Sequence, residues 1–105
     1  MGIIMNILQL TKNHKPVNNH FVHFGKASTG ESVTILQSYT SNICMLFESN
    51  TGQKRLLING DKVDYSPTTK KYYNHFVKTF NAENIPLYMH GEKTFEAIRE
   101  GYKIH

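Results

Sequence analysis

One unbroken run of this chain, Leu56 to Phe80, constrains the fold more than any other segment. Residues 56–58 are apolar enough to form a buried strand, and Asn59-Gly60 tolerates the positive φ angles of a tight hairpin turn. A return strand through Val63 and Tyr65 would complete that hairpin. The first half of the run therefore predicts two antiparallel strands.

The second half of the run predicts a helix. Ser66 can accept a hydrogen bond from an unpaired helix N–H, and Pro67 has its φ preset for a first helical position. Apolar residues then recur at the three-and-four spacing of a core-facing stripe, at Tyr72, Tyr73, Phe76, Val77 and Phe80. The other side carries Lys70, Lys71, Asn74 and Lys78. We expect the helix to pack by one side and to show positive charge on the other.

The flanking segments predict the rest of a small sheet. Ile43 to Glu48 is apolar on both faces, which is typical of a central strand. Further strands are predicted at residues 33–37, 54–59 and 87–90, and a second, shorter helix at 92–100. The predicted fold class is α+β: an antiparallel sheet of three to five strands covered on one face by one longer and one shorter helix. We expect residues 1–105 to form a single domain, in which residues 1–32 can be an irregular N-terminal arm.

Length and cysteine content narrow the class of protein. A chain of 105 residues can bury one modest core. The lone Cys44 cannot form an internal disulfide, so a reducing cytoplasm fits, and its apolar neighbours predict burial. No stretch approaches the roughly 20 apolar residues that cross a bilayer. We expect a cytoplasmic protein with no membrane partner.

The residues that carry chemistry do not form a catalytic or metal signature. Six histidines are present, but His20 and His23 are the only close pair, and a spacing of three on a strand sends them to opposite faces. The segment Gly25 to Gly30 lacks the Lys-Ser/Thr spacing of a phosphate loop. We therefore expect no enzyme activity, no cofactor and no metal, and we keep a small hydrolase or nuclease only as a third alternative.

Positive charge is concentrated in two segments. Residues 1–30 carry Lys12, Lys15 and Lys26 without an acid, and residues 66–80 carry three lysines without an acid. Tyrosines lie close to these lysines, and tyrosine is a favoured anchor of protein interfaces and a stacking platform for single strands. The predicted contact patch consists of Tyr39, Tyr65, Lys70, Lys71, Asn74 and Lys78.

Two short segments of the chain resemble a pattern in small proteins of Gram-positive phages and mobile elements. Residues 38–44 (SYTSNIC) are similar to an S-Y-x-T turn before an apolar strand, and residues 65–69 (YSPTT) to a Y-S-x-T-T cap that opens a helix. The likeness covers residues 36–80. It implies a phage accessory protein that acts by stoichiometric binding, with an inhibitor of the anti-CRISPR type as the leading interpretation.

Two functional hypotheses follow. In the first, the protein is a non-enzymatic inhibitor that binds a host or phage protein, such as a CRISPR effector nuclease, as a monomer or homodimer. In the second, it is a small basic nucleic-acid-binding accessory or regulatory protein whose lysines track phosphates. The two differ in the salt dependence of binding, which is steep only for the second.

Overall fold

A computed structural model describes residues 6–64 and 66–101, with side chains from residue 9 onward. In chain order the elements are β1 (Asn6–Lys12), β2 (Lys15–Lys26), β3 (Ser32–Ser38), β4 (Ser41–Glu48), β5 (Lys54–Asn59), α1 (Pro67–Thr79), β6 (Leu87–His90) and α2 (Glu92–Gly101).

The strands form one six-stranded sheet in the order β1-β2-β3-β4-β5-β6. The first five are antiparallel neighbours, whereas β6 runs parallel to β5 because α1 carries the chain back to the end of the sheet where β5 begins. The predicted antiparallel sheet of three to five strands is therefore wrong: the sheet is larger and mixed. Both helices are short, at 13 and 10 residues.

Strand β4 lies in the middle of the core, as its two apolar faces predicted. Residues 43–47 are all buried. Cys44 and Leu46 belong to a cluster that contains Phe76 of α1, and Met45 and Phe47 belong to a second cluster that contains Phe95 of α2. The two helices thus cover opposite faces of the sheet, and the expectation that both cover one face is wrong.

Residues 6–26, which the sequence placed in an irregular arm, form β1 and β2. Their connection is only two residues long, because Asn13 and His14 both adopt positive φ angles, 53° and 64°. This is the geometry of a type I′ hairpin turn, and it brings Lys12 opposite Lys15. Asn is a usual residue at such a position, but His is less common there, which is why the turn reads as an ordinary polar loop.

The return strand predicted after β5 is absent from the described residues. Residues 60–64 form turns instead, and Tyr65 lies outside the described residues. Asn59 is fully buried; its side chain donates to the Asn42 carbonyl at 3.1 Å and accepts from the Asp61 N–H at 3.2 Å. The Asn side chain thus organises an Asx-type turn rather than a hairpin. The Gly60 N–H bonds to the His90 carbonyl, so β6 takes the position of the predicted strand.

Helix α1 begins as predicted. Ser66 is its N-cap, in an extended conformation, and its hydroxyl accepts a hydrogen bond from the Thr69 N–H at 3.1 Å. Phe76 is fully buried, and Tyr72, Tyr73, Val77 and Phe80 pack against the same cluster. The predicted core stripe is therefore confirmed.

Burial of the central strand should make stability sensitive to alkaline pH. Burial raises the pKa of the Cys44 thiol from its ordinary value of 9.0, and burial, with smaller effects of Cys44 and Asp64, raises the pKa of Tyr73 to about 12. Both neutral forms are favoured in the folded state. Their stabilisation is therefore complete below pH 9.0 and is lost as the pH rises.

We predict that the free energy of unfolding falls above pH 9.0 by about 1.4 kcal/mol per pH unit while the Cys44 thiol alone titrates in the unfolded chain. In a Cys44→Ala variant the decline should begin only near pH 10, the ordinary value for Tyr73. Urea unfolding at a series of pH values from 8 to 11 measures both curves. Identical profiles for the two proteins would show that the buried thiol is not responsible.

Candidate functional site

A buried chain of polar side chains joins β2, β3 and α1. The His20 Nε2 and the Ser38 Oγ are 3.0 Å apart, and the Ser38 Oγ and the Thr69 Oγ1 are 3.1 Å apart. Ser66 continues the chain, with its hydroxyl 3.2 Å from that of Thr69. His20, Ser38 and Thr69 are each less than 5% exposed: 1%, 4% and 3% respectively. We call these four residues the polar relay.

The direction of every bond in the polar relay follows from one carbonyl. The His20 Nδ1 lies 2.8 Å from the Asn18 carbonyl oxygen, which can only accept, so Nδ1 carries a proton and, in the neutral ring, Nε2 accepts. Ser38 must then donate to His20, Thr69 to Ser38, and Ser66 to Thr69. Each hydroxyl thus donates its single proton to the next residue in the direction of His20. The relay therefore fixes the first turn of α1 against β2 and β3 without leaving a polar group unpaired.

Tyr72 connects the N-terminal hairpin with α1 on the other side of His20. Its ring centroid is 4.6 Å from that of His20. The Lys71 and Lys12 ammonium groups lie 5.4 and 6.0 Å from the same ring centroid, within the range of a cation–π contact. The ring thus gathers one lysine from α1 and one from the hairpin.

A second contact fixes the hairpin to α1. The His75 Nε2 donates to the Thr11 carbonyl across 2.7 Å, between residues 64 positions apart in the chain. Together with the Lys12 contact, it holds the end of β1 over the helix. The lysines at the hairpin tip consequently have a defined place relative to α1.

The hairpin, β2 and the start of α1 enclose a groove of about 630 Å³. Among the described residues its walls are Lys12, Asn13, Lys15, Pro16, Val17, Asn18, Asn19, His20, Tyr39, Thr68 and Tyr72. None of these is an acid. We call this cleft the basic groove, since it combines ammonium groups, amides and aromatic rings without a carboxylate.

Tyr39 stands at the mouth of the basic groove in a fixed backbone conformation. Its φ is 56°, its N–H donates to the Asn19 carbonyl at 2.6 Å, and its carbonyl accepts from the Gln37 side-chain amide. The side chain is nevertheless 55% exposed. The backbone is therefore positioned in advance while the ring stays available to a ligand.

The structure brings together only part of the predicted contact patch. Tyr39 lines the basic groove. Lys71 lies next to the groove, since its ammonium group contacts the ring of Tyr72, which is one of the lining residues. Lys70, Asn74 and Lys78 are exposed along α1, with Lys70 3.4 Å from the Asp64 carboxylate in an exposed ion pair. Tyr65 lies outside the described residues.

Sequence reasoning did not place the hairpin in this site. Lys12 and Lys15 flank the two-residue turn, whereas Lys26 is at the opposite end of β2. His20, considered from the sequence only as a close pair with His23, is buried and lines the groove. The dipeptide Asn13-His14 is the sequence signal that could have indicated a tight turn, with Lys12 and Lys15 opposite each other.

Ser38 and His20 have the spacing of a nucleophile and its base, but their surroundings favour a structural role. A nucleophile must reach its substrate, and the Ser38 hydroxyl is buried with both its donor and an acceptor position occupied within the relay. In the described part of the chain no group of three or more His, Cys, Asp or Glu residues could hold a metal ion. Neither described helix has the length and apolarity to span a membrane.

Comparison with protein-family models matches residues 5–96 to DUF8033, described as a family of unknown function. The match includes all six strands and α1. No curated protein and no solved structure gives a significant match. The description of this family does not bear on the phage and anti-CRISPR assignments drawn from the sequence pattern, which stay predictions.

We predict that Ser38→Ala lowers the free energy of unfolding by about 1–3 kcal/mol, because it leaves the His20 acceptor and the Thr69 donor buried without a partner. The neighbouring exposed Thr40 supplies a matched control, since Thr40→Ala should change stability by less than about 0.5 kcal/mol. Urea unfolding monitored by circular dichroism gives both values. Equal effects of the two substitutions would contradict a structural relay.

Proposed function

Since this chain belongs to DUF8033, a family of unknown function, we propose its role from its own surface: a non-catalytic protein that binds single-stranded nucleic acid in the basic groove. The observation that carries the proposal is a concave site that combines lysines, amides and an exposed tyrosine and contains no carboxylate among its described residues. Such a combination suits phosphates and unpaired bases together.

Charge is the first argument. Lys12 and Lys15 line the basic groove from the hairpin, and the Lys71 ammonium group on α1 contacts the ring of Tyr72, which lines it as well. Lys78 extends the same sign along the exposed side of the helix. Lysines at these positions can follow a phosphate backbone that enters the groove and continues along α1.

The acidic side chains lie mainly elsewhere. Glu31 pairs with Arg55, and Glu96 pairs with Arg99 on α2, on the opposite face of the sheet. Asp64, exposed beside Lys70, places a carboxylate near the start of α1, and the exposed Glu83 follows the end of the helix. An exposed pair of this kind contributes little and is screened by salt, so it does not remove the positive field of this face.

Aromatic groups are the second argument. The exposed Tyr39 ring can stack on one base, and its fixed backbone lowers the entropy lost on binding. Tyr72 has a different role, because its ring is already in contact with Lys12, Lys71 and His20. The geometry therefore supports one stacking position with several phosphate contacts, and amides of Asn13, Asn18 and Asn19 available for base edges or sugars.

A protein partner is the second candidate, and the exposed Tyr39 is the observation that favours it. A protein interface normally has an apolar centre with a polar rim. Among the described residues that line the basic groove, Tyr39 is the only large apolar side chain that is more than half exposed. The surroundings of that ring are polar and basic, so nucleic acid is the better match.

We predict that fluorescence anisotropy with a labelled single-stranded oligonucleotide shows binding that weakens steeply with salt. Lys12→Gln with Lys15→Gln should weaken binding and reduce the slope of log K against log[salt] by about 1.4, the value for two phosphate contacts on a single strand. Tyr39→Ala should weaken the binding free energy by about 1–3 kcal/mol, the contribution of one stacked base. The slope should change little, because no phosphate contact is lost.

The matched control is Lys93→Gln, which removes one exposed lysine from α2 on the other face of the sheet. It should leave affinity and slope close to those of the parent protein. Absence of binding at low salt, or equal effects of Lys93 and of the hairpin lysines, would refute a specific role of the basic groove.

A further inference from the structure

The edge strand β6 is unusual in what it exposes. Among the described residues four large apolar side chains are more than half exposed, and three of them, Leu87, Tyr88 and Met89, are consecutive on this four-residue strand. The fourth, Tyr39, belongs to the basic groove. A concentration of apolar surface on an unpaired edge strand is typical of an interaction site.

The backbone of β6 presents hydrogen-bonding groups to the open edge. The Pro86 carbonyl accepts from the Leu56 N–H of β5 at 3.0 Å, and the His90 carbonyl accepts from the Gly60 N–H at 2.7 Å. In a strand the amides alternate in direction, so the N–H and C=O groups of Leu87 and Met89 point away from β5. Two donors and two acceptors therefore face outward.

The side chains of β6 divide between the two faces of the sheet. Tyr88 is in register with Leu57, which belongs to the cluster on the α2 side. Leu87 and Met89 are in register with Leu56 and Ile58 of the α1 side. The edge strand β6 thus presents apolar side chains on both faces of the sheet.

We propose that β6 is a homodimer interface, in which the β6 strand of a second copy of this chain adds antiparallel to the edge. A two-fold axis through Tyr88 would set Leu87 opposite Met89 of the second copy, and Met89 opposite its Leu87. Each of these pairs has the outward amides that a hydrogen-bonded antiparallel pair requires, so four main-chain bonds form. The same axis brings the two Tyr88 rings together on the α2 side.

A second copy fits this edge because the edge is complementary to itself. The three side chains carry no charge, so two copies meet there without repulsion between like charges despite a net charge of +4 on each chain. Antiparallel pairing about Tyr88 also uses all three exposed apolar residues of the strand, Leu87, Tyr88 and Met89. A basic or acidic partner would instead require charged groups at this edge, and β6 itself offers none.

The size of the surface sets the expected strength. The three side chains expose roughly 300 Å² per copy, below the about 800 Å² per partner of a standard stable interface. We therefore expect a weak dimer, populated at high protein concentration. Association at one edge would also leave the basic groove open, because that groove lies beside β1 and β2 at the other end of the sheet.

Dimerisation has a consequence that depends on the proposed function. The two copies would share one continuous sheet, and nine strand spacings would separate the two β2 strands, about 43 Å at 4.8 Å each. The dimer would carry two basic grooves at its outer ends. A single strand long enough to reach both would bind more tightly than a short one, through a higher effective concentration at the second groove.

Sedimentation of the protein alone, from about 10 μM to 1 mM, tests the interface without nucleic acid. The weight-average mass should rise from 12.1 kDa towards twice that value. Met89→Pro removes an N–H that the fold does not use and should keep the protein monomeric across the range. The matched control Met89→Leu retains that N–H and the apolar side chain, and should dimerise like the parent.

The outcomes are distinct. A parent protein that stays at the monomer mass, or a folded Met89→Pro variant that dimerises normally, overturns the proposal. A weight-average mass above that of a dimer would also overturn the proposal, since it would indicate head-to-tail pairing of β6 with β1. If circular dichroism shows that Met89→Pro is unfolded, the exposed Leu87→Lys replaces it, and dimerisation of that variant at the parental concentration overturns the proposal. Failure of oligonucleotide binding leaves this result unaffected.

Discussion

The burial of β4 on both faces is the constraint on which the rest of the structure depends. Five consecutive apolar residues, Ile43–Phe47, cannot face water on either side of a sheet without a large loss of hydrophobic stabilisation. One helix must therefore cover each face, and Phe76 and Phe95 are the fully buried rings that do so. The mixed topology follows, because α1 returns the chain for a parallel β6, after which α2 packs on the opposite face.

The basic groove depends on the same arrangement of helices over the sheet. Once α1 is fixed over the sheet, the polar relay ties its first turn to β2 and β3, and Tyr72 and His75 attach the N-terminal hairpin to its side. These contacts convert two lysine-bearing segments, far apart in sequence, into the walls of one groove. The two positively charged segments are thus held together by buried hydrogen bonds at the start of α1 and by an exposed one between His75 and Thr11.

Local signals in the sequence predicted the elements far better than their assembly. Residues 54–59 and 87–90 were predicted as strands with the observed bounds, and Ser66-Pro67 marked the start of α1, because caps and apolar patterns act over a few residues. The return strand after Asn59 was wrong because a buried side-chain amide, invisible in local sequence, organises that turn. The hairpin and its groove were missed because Asn13-His14 is a weak turn signal and because the groove depends on tertiary contacts to α1.

The 64-residue separation of His75 and Thr11 also bears on how the molecule reaches its native state during translation. The N-terminal hairpin leaves the ribosome well before the helix that anchors it has been synthesised, and local pairing of two strands is only marginally stable alone. At ordinary elongation rates of about 5–20 residues per second, it would wait several seconds for that anchor. The cleft can therefore be completed only after α1 has been synthesised and has packed against the sheet.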